Sequence, residues 1–168
     1  MSTFTKFAVP LAGLAATVTF VAGSAFAATG PPAHTGDPAV WGPDVAALCD
    51  DPAAAAAAGY NVIEDEHPDA EGHFGGLLEG TDGADAIYAL GGNDIVHAGG
   101  GDDVVCGSFG NDDLFGDAGN DALIGQGHAD DLKGGANGDF LDGGGQHDRC
   151  DGGNGDDAAA DTCEEINA

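Results

Sequence analysis

The chain has 168 residues, room for one domain of about 100–150 residues plus extensions, and sets 30 Asp/Glu against three Lys/Arg for a formal charge of −27. That balance excludes a phosphate-backbone binder of nucleic acid and docking on an anionic membrane surface, since both require a basic face. With 31 glycines and few large apolar side chains, the chain cannot fill a thick core, so a folded state calls for a cationic partner, and a metal ion is the first candidate.

Residues 1–27 read as a secretory signal peptide. Lys6 precedes an apolar run, Phe7 to Ala22, broken by Pro10 and Gly13, and Ala25-Phe26-Ala27 offers a small-residue cleavage site. The run is too short and interrupted for a membrane anchor. Cleavage after Ala27 predicts a secreted, extracellular protein without membrane insertion. It removes Lys6 and no acid, leaving 30 acids against two bases, a charge of −28.

Residues 28–79 form a Pro/Ala-rich linker and N-terminal capping segment. Residues 28–43 hold four prolines and read as extended. Asp51, Pro52, Ala53 to Ala58 and Gly59 supply an N-cap, a helix-starting proline, a helix body and a C′ glycine, which predicts a short helix. Tyr60 to Ile63 reads as a strand capping the downstream half of the chain. From Glu64 to His73 the chain is acidic; His67 and His73 with Glu66, Asp69 and Glu71 read as solvated loop charge rather than a transition-metal site.

From Gly80 to Ala160 the sequence divides without insertion into nine nonapeptides. Position six is Asp in every one: Asp85, Asp94, Asp103, Asp112, Asp121, Asp130, Asp139, Asp148 and Asp157. Position eight is small or apolar throughout, from Ile87 through Leu123 to Ala159; position one is Gly seven times and Ala twice, and position four is Gly six times. Nine aspartates in register by chance is on the order of a one-in-a-million event, which removes a featureless Gly/Asp linker from consideration.

The pattern G-G-x-G-x-D-x-U-x resembles the signature of the RTX (repeats-in-toxin) calcium-binding nonapeptides. That resemblance covers residues 80–160 and implies a parallel β-roll, an all-β solenoid with two units per turn. With an N-terminal signal in place of a C-terminal export signal, the chain looks like the small Sec-exported RTX-like calcium-binding proteins of bacteria. Elementary physics agrees with the roll. The Gly-rich hexapeptide makes a turn, and x-U-x makes a short strand with U inward and its neighbours outward. One inward side chain per half-turn is too thin a core to carry the fold. Stacking unit n on unit n+2 also lines up the aspartates, one edge carrying Asp85, Asp103, Asp121, Asp139 and Asp157, the other Asp94, Asp112, Asp130 and Asp148.

Calcium suits such edges because it takes 6–8 oxygens in loose geometry, whereas magnesium wants a tighter octahedron and zinc wants nitrogen or sulfur. The family resemblance implies that each ion lies between two loops of one edge, held by both position-six carboxylates and by backbone carbonyls. Four gaps plus three give at most seven Ca²⁺, which would bring −28 to −14. Units six to eight depart from the pattern at position four with His128, Asn137 and Gln146. These units, and the thin inward positions Cys150 and Ala159, predict weaker sites and a capping end. Lys133 and Arg149 read as ordinary solvated charge, and the asparagines at position five as turn residues.

Four cysteines, Cys49, Cys106, Cys150 and Cys163, admit three pairings in an oxidising compartment. A Cys150–Cys163 bond would fold the tail, residues 161–168, over the end of the roll as a C-terminal cap; elimination then leaves Cys49 with Cys106. No H-E-x-x-H or G-x-S-x-G is present, and the chain is not expected to be an enzyme. The reading is a secreted calcium-binding protein that folds on its ions. The alternative is an adhesion or matrix protein using the loaded roll as scaffold, with an unidentified protein or polysaccharide partner; an enzyme with an unrecognised site is remote.

Overall fold

Each nonapeptide places one strand, and position eight points it inward. The computed structural model describes residues 45–65, 75–160 and 162–167. Residues 1–27, read above as a signal peptide, the expected proline-rich linker and most of the acidic segment with His67 and His73 lie outside the described residues. Among the described residues two helices, α1 (Val45–Leu48) and α2 (Pro52–Ala58), precede β1 (Asn61–Glu64), β2 (Leu77–Glu79), β3 (Asp85–Tyr88), β4 (Ile95–His97) and β5 (Val104–Phe109). Next come β6 (Asp113–Ala118), β7 (Ala122–Gly127), β8 (Asp131–Ala136), β9 (Phe140–Asp142), β10 (Asp148–Asn154), β11 (Ala158–Ala159) and β12 (Cys163–Asn167).

The strands form two six-stranded parallel sheets, β1-β3-β5-β7-β9-β11 and β12-β10-β8-β6-β4-β2. Unit n stacks on unit n+2: Ile87 lies beside Val105, Val105 beside Leu123 and Leu123 beside Leu141. The chain is therefore the expected parallel β-solenoid, and Ile87, Val96, Val105, Leu114, Leu123 and Leu132 fill its axis with no solvent exposure.

The roll is longer than the nine units predict. β1 stacks on β3 with Asn61 beside Asp85, so Asn61 stands at a position six and Ile63 at a position eight. β2 stacks on β4 with Leu78 beside Val96, which puts Gly76 at a position six. Both outlying strands keep the inward apolar residue and lose the aspartate that advertises the repeat. At the other end β12 pairs with β10, so the tail is a further strand as well as a cap. The segment before Gly80 is consequently more regular than expected. α2 forms as read, with Asp51 Oδ1 accepting the Ala54 N–H at 3.0 Å and Gly59 in the left-handed region at φ 103°.

A second departure concerns positions seven and nine. On the even-numbered sheet they face outward and stay partly exposed, but on the odd-numbered sheet Ala86, Tyr88, Val104, Cys106, Ala122 and Ile124 are buried. Val45, Ala55 and Tyr60 pack over them as a second apolar cluster, and the Tyr88 hydroxyl donates to the Leu48 carbonyl at 2.7 Å. The N-terminal segment thus roofs one sheet. Cys49–Cys106 fastens that roof, with Cα atoms 5.6 Å apart, and Cys150–Cys163 ties β10 to β12, with Cα atoms 5.8 Å apart.

Candidate metal centre

The Gly-rich hexapeptide turns sharply by placing positions two and four in left-handed backbone. At position four, Gly110 and Gly119 adopt φ 148° and 142°, and a β-carbon there would run into the carbonyl of the preceding turn, Gly92 and Gly101 respectively. Where position four is not glycine the backbone turns to a tighter angle: His128, Asn137 and Gln146 have φ 85°, 84° and 86°. Position two is left-handed even in Leu90, Ser108, Asp117 and Gln126, at φ 67–74°, a demand the sequence pattern hides.

These turns aim the position-six carboxylates along the two edges of the roll. Each is sequestered: Asp85, Asp94, Asp103, Asp112, Asp121, Asp130, Asp139 and Asp148 are at most 3% exposed. One oxygen reaches back a full turn to a backbone N–H. Asp103, Asp121, Asp139 and Asp157 accept through Oδ1 from the N–H of Asp85, Asp103, Asp121 and Asp139 at 2.7–3.0 Å. On the other edge Asp112, Asp130 and Asp148 accept from Asp94, Asp112 and Asp130 at 2.8–2.9 Å, and Asp94 Oδ1 accepts from Gly76.

The second oxygen is different. Oδ2 of Asp103, Asp112, Asp121, Asp130, Asp139, Asp148 and Asp157 is buried without a hydrogen-bond partner. A buried carboxylate oxygen left without a donor costs several kcal/mol unless a proton or a cation takes the place. Burial accordingly raises five of them far above the ordinary carboxylate range: Asp130 to about 6, Asp103, Asp112 and Asp139 to about 7, Asp121 to about 9. The N–H bonds pull down against burial, and neighbouring aspartates add to it. Asp148 is raised by burial too, with the facing Glu164 carboxylate contributing.

From the fourth unit onward the space beside Oδ2 is kept open by position-one glycines. A β-carbon on Gly116 would lie 2.5 Å from both Asp121 Oδ2 and the Gly134 carbonyl oxygen, and one on Gly107 would lie 2.7 Å from Asp112 Oδ2 and 3.0 Å from the Gly125 oxygen. Each cradle thus presents a carboxylate oxygen and a main-chain carbonyl from the next turn. Among the described residues no three His, Cys, Asp or Glu side chains converge on one point, so a cation here would depend on carbonyl oxygens. That hard, all-oxygen donor set fits calcium.

Asp85 stands apart. Its Oδ1 accepts from Asn61 Nδ2 at 2.7 Å, and its Oδ2 accepts from the Thr81 N–H at 2.6 Å and the Thr81 hydroxyl at 2.8 Å. Both oxygens are thus supplied by the protein itself. At the opposite end Glu164, outside the repeats, accepts the Asp148 N–H through Oε2 at 2.7 Å.

Two further roles were hidden in the repeat. Position-five side chains form ladders between turns: Asn93 Oδ1 accepts from the Asn111 N–H and Asn111 Oδ1 from the Ala129 N–H, at 2.9 and 3.1 Å. They are rungs as well as turn residues. Arg149 and Lys133 are not ordinary solvated charges. Arg149 grips both oxygens of Asp131 at 3.0 and 3.1 Å, while Lys133 reaches Asp131 at 3.0 Å and lies 4.5 Å from the Phe115 ring centroid. Stacking at an 18-residue offset brings Arg149 to Asp131 and Lys133 to Phe115 on the even sheet's outer face, beyond the reach of local sequence reasoning.

The family model for the RTX calcium-binding nonapeptide repeat, in four copies, matches residues 77–105, 107–141 and 124–158. Neither a curated protein nor a solved structure matches the chain.

Proposed function

From the membership of this chain in the RTX-type calcium-binding repeat proteins we propose that it is a secreted protein whose roll is completed by calcium ions lodged between stacked turns. The observation that carries this reading is the row of buried Oδ2 atoms without partners on a chain of charge −27. Asp94, Asp103, Asp112, Asp121, Asp130, Asp139, Asp148 and Asp157 are the proposed ligands, joined by position-one carbonyls such as those of Gly125 and Gly134. Asp85, with both oxygens engaged by Asn61 and Thr81, serves instead as the N-terminal end of its edge.

Bound calcium supplies positive charge between carboxylates that otherwise repel. The chain's own residues do the rest. Left-handed turns present the carbonyls, the backward N–H bonds fix each carboxylate, and the inward column of position-eight residues holds turns in register. Because the inward column is one residue wide and the roof covers only one of the two sheets, binding energy becomes folding energy. Two disulfides accord with an oxidising compartment, and export through residues 1–27 is part of the proposal.

The test is circular dichroism of the oxidised chain with calcium added and then chelated. Parallel β signal should appear with calcium and largely vanish with chelator; a folded spectrum indifferent to both would refute the reading. A scaffold role is the second reading, favoured by the exposed Leu77 and Ile95, 64% and 43% accessible, on the even sheet's outer face. Binding of a purified matrix polysaccharide or protein only in the presence of calcium would support it.

A further inference from the structure

The even edge does not end where the repeats end. Along it, the N–H of each position-six Asp donates to a carboxylate 18 residues later. For Asp148 that place in the sequence is Ile166, whose side chain carries no oxygen. Glu164 takes the role, accepting the Asp148 N–H at 2.7 Å. The backbone arranges this with a register break: Cys163 lies beside Asp148 and Glu165 beside Arg149, leaving Glu164 as the extra residue of a bulge. One more methylene than Asp lets its carboxylate meet the edge from that irregular position.

The facing carboxylate is also incomplete. Asp148 is 3% exposed, and its Oδ2 is among the buried oxygens that no donor reaches. Asp148 and Glu164 line one cleft of about 380 Å³ together with Asp130 and His147. His147 Nδ1 lies 3.1 Å from Glu164 Oε1 and is itself exposed to solvent.

We propose that Glu164 and Asp148 form a terminal calcium site outside the repeats, which closes the even edge and ties β12 to the loaded roll. This rests on the reading that the stacked carboxylates take calcium. Two carboxylates from adjacent strands are hard oxygen donors, and calcium tolerates the irregular geometry of a bulge. The neighbouring Cys150–Cys163 bond holds β12 against β10, so Glu164 is presented before any ion arrives.

Calcium chloride titration calorimetry of the oxidised full chain tests this, comparing wild type with Glu164→Gln and Glu165→Gln. Glutamine keeps an amide oxygen for the Asp148 N–H, so strand pairing survives while the charge is lost. Glu164→Gln should bind one ion fewer, and Glu165→Gln should match wild type. Equal stoichiometry in wild type and Glu164→Gln overturns the terminal site alone, whereas a wild type that binds no calcium overturns the parent reading and this site with it. Should Glu164→Gln lose β signal, His147→Ala decides, because it frees Glu164 Oε1 and should tighten one ion several-fold; an unchanged isotherm there overturns the site.

Discussion

Asp112 and Asp130, 18 residues apart, are linked in one direction: the Asp112 N–H donates to Asp130 Oδ1 at 2.8 Å, while Oδ2 of both is buried without a donor. The N–H bond positions the carboxylate without neutralising it. Repeated along both edges, this one-way bond builds a column of held, half-satisfied carboxylates. The same bond makes the column testable, because an asparagine keeps the acceptor and removes the charge.

Asp112→Asn should therefore remove two calcium ions, those shared with Asp94 and with Asp130. Asp157→Asn, at the end of the odd edge with no unit stacked beyond it among the described residues, should remove one. Calorimetric stoichiometry distinguishes them. Equal losses would count against ions being shared between stacked turns.

Metal-free stability should depend on pH in the opposite sense to most acidic proteins. An unfolded Asp titrates near 4, whereas burial holds Asp130 at about 6, Asp103, Asp112 and Asp139 at about 7 and Asp121 at about 9. The folded state binds these protons more tightly, so their stabilisation is complete below about pH 4 and is lost as pH rises through 6 to 9. Chelated protein should gain β signal on acidification, and calcium affinity should fall over the same range because proton and ion compete for Oδ2. A metal-free roll that unfolds on acidification would contradict this.

The repeat made the solenoid and its carboxylate edges legible because selection of one residue type at a fixed period leaves a pattern in one dimension. What escaped were features with a period of 18. At positions seven and nine, odd units carry Ala86/Tyr88, Val104/Cys106 and Ala122/Ile124, while even units carry Ile95/His97, Asp113/Phe115 and Asp131/Lys133. That alternation marks which sheet is roofed by α1 and α2, and reading by nines averages it away. Asn61, Gly76 and Glu164 escaped for another reason: each stands in for a position-six Asp without being one, and only the stacking identifies it.

His128 and Gln146 hold left-handed backbone at φ 85° and 86° where glycine would do so freely. A non-glycine residue there costs about 1–2 kcal/mol, offset by about 0.5–1 kcal/mol that glycine loses in chain entropy. Net, His128→Gly and Gln146→Gly should each stabilise the calcium-loaded roll by up to about 1.5 kcal/mol. Thermal unfolding at saturating calcium measures it, and a lower melting temperature in both variants would show that their side chains matter more than the turn.

Removing the roof's fastening should separate fold stability from ion binding. Cys49 and Cys106 are 57 residues apart, a loop whose closure contributes about 4 kcal/mol in the chain-entropy model. Cys106 faces α1 and α2 rather than the carboxylate edges. The Cys49→Ser/Cys106→Ser pair should lower the melting temperature yet leave the number of bound ions unchanged; a loss of ions would mean that the roof shapes the turns.

Position one gives the most direct probe of the cradles, since it alters no charge. A β-carbon on Gly116 would come to 2.5 Å from Asp121 Oδ2 and from the Gly134 carbonyl oxygen, the two oxygens between which an ion would lie. Ala89 and Ala98 already occupy the same position in units two and three, fully buried, so the roll itself tolerates a methyl there, and the cradles beside Asp94 and Asp103 should hold their ions more weakly than those of units four to eight. Gly116→Ala should consequently leave the β signal at saturating calcium unchanged while weakening one calcium ion. Gly127→Ala is the control: its nearest contact would be the Ser108 carbonyl oxygen at 3.4 Å, away from any Oδ2, and its isotherm should match wild type. If Gly116→Ala also titrates as wild type does, the ions do not occupy the space beside Oδ2 and the cradle assignment is wrong.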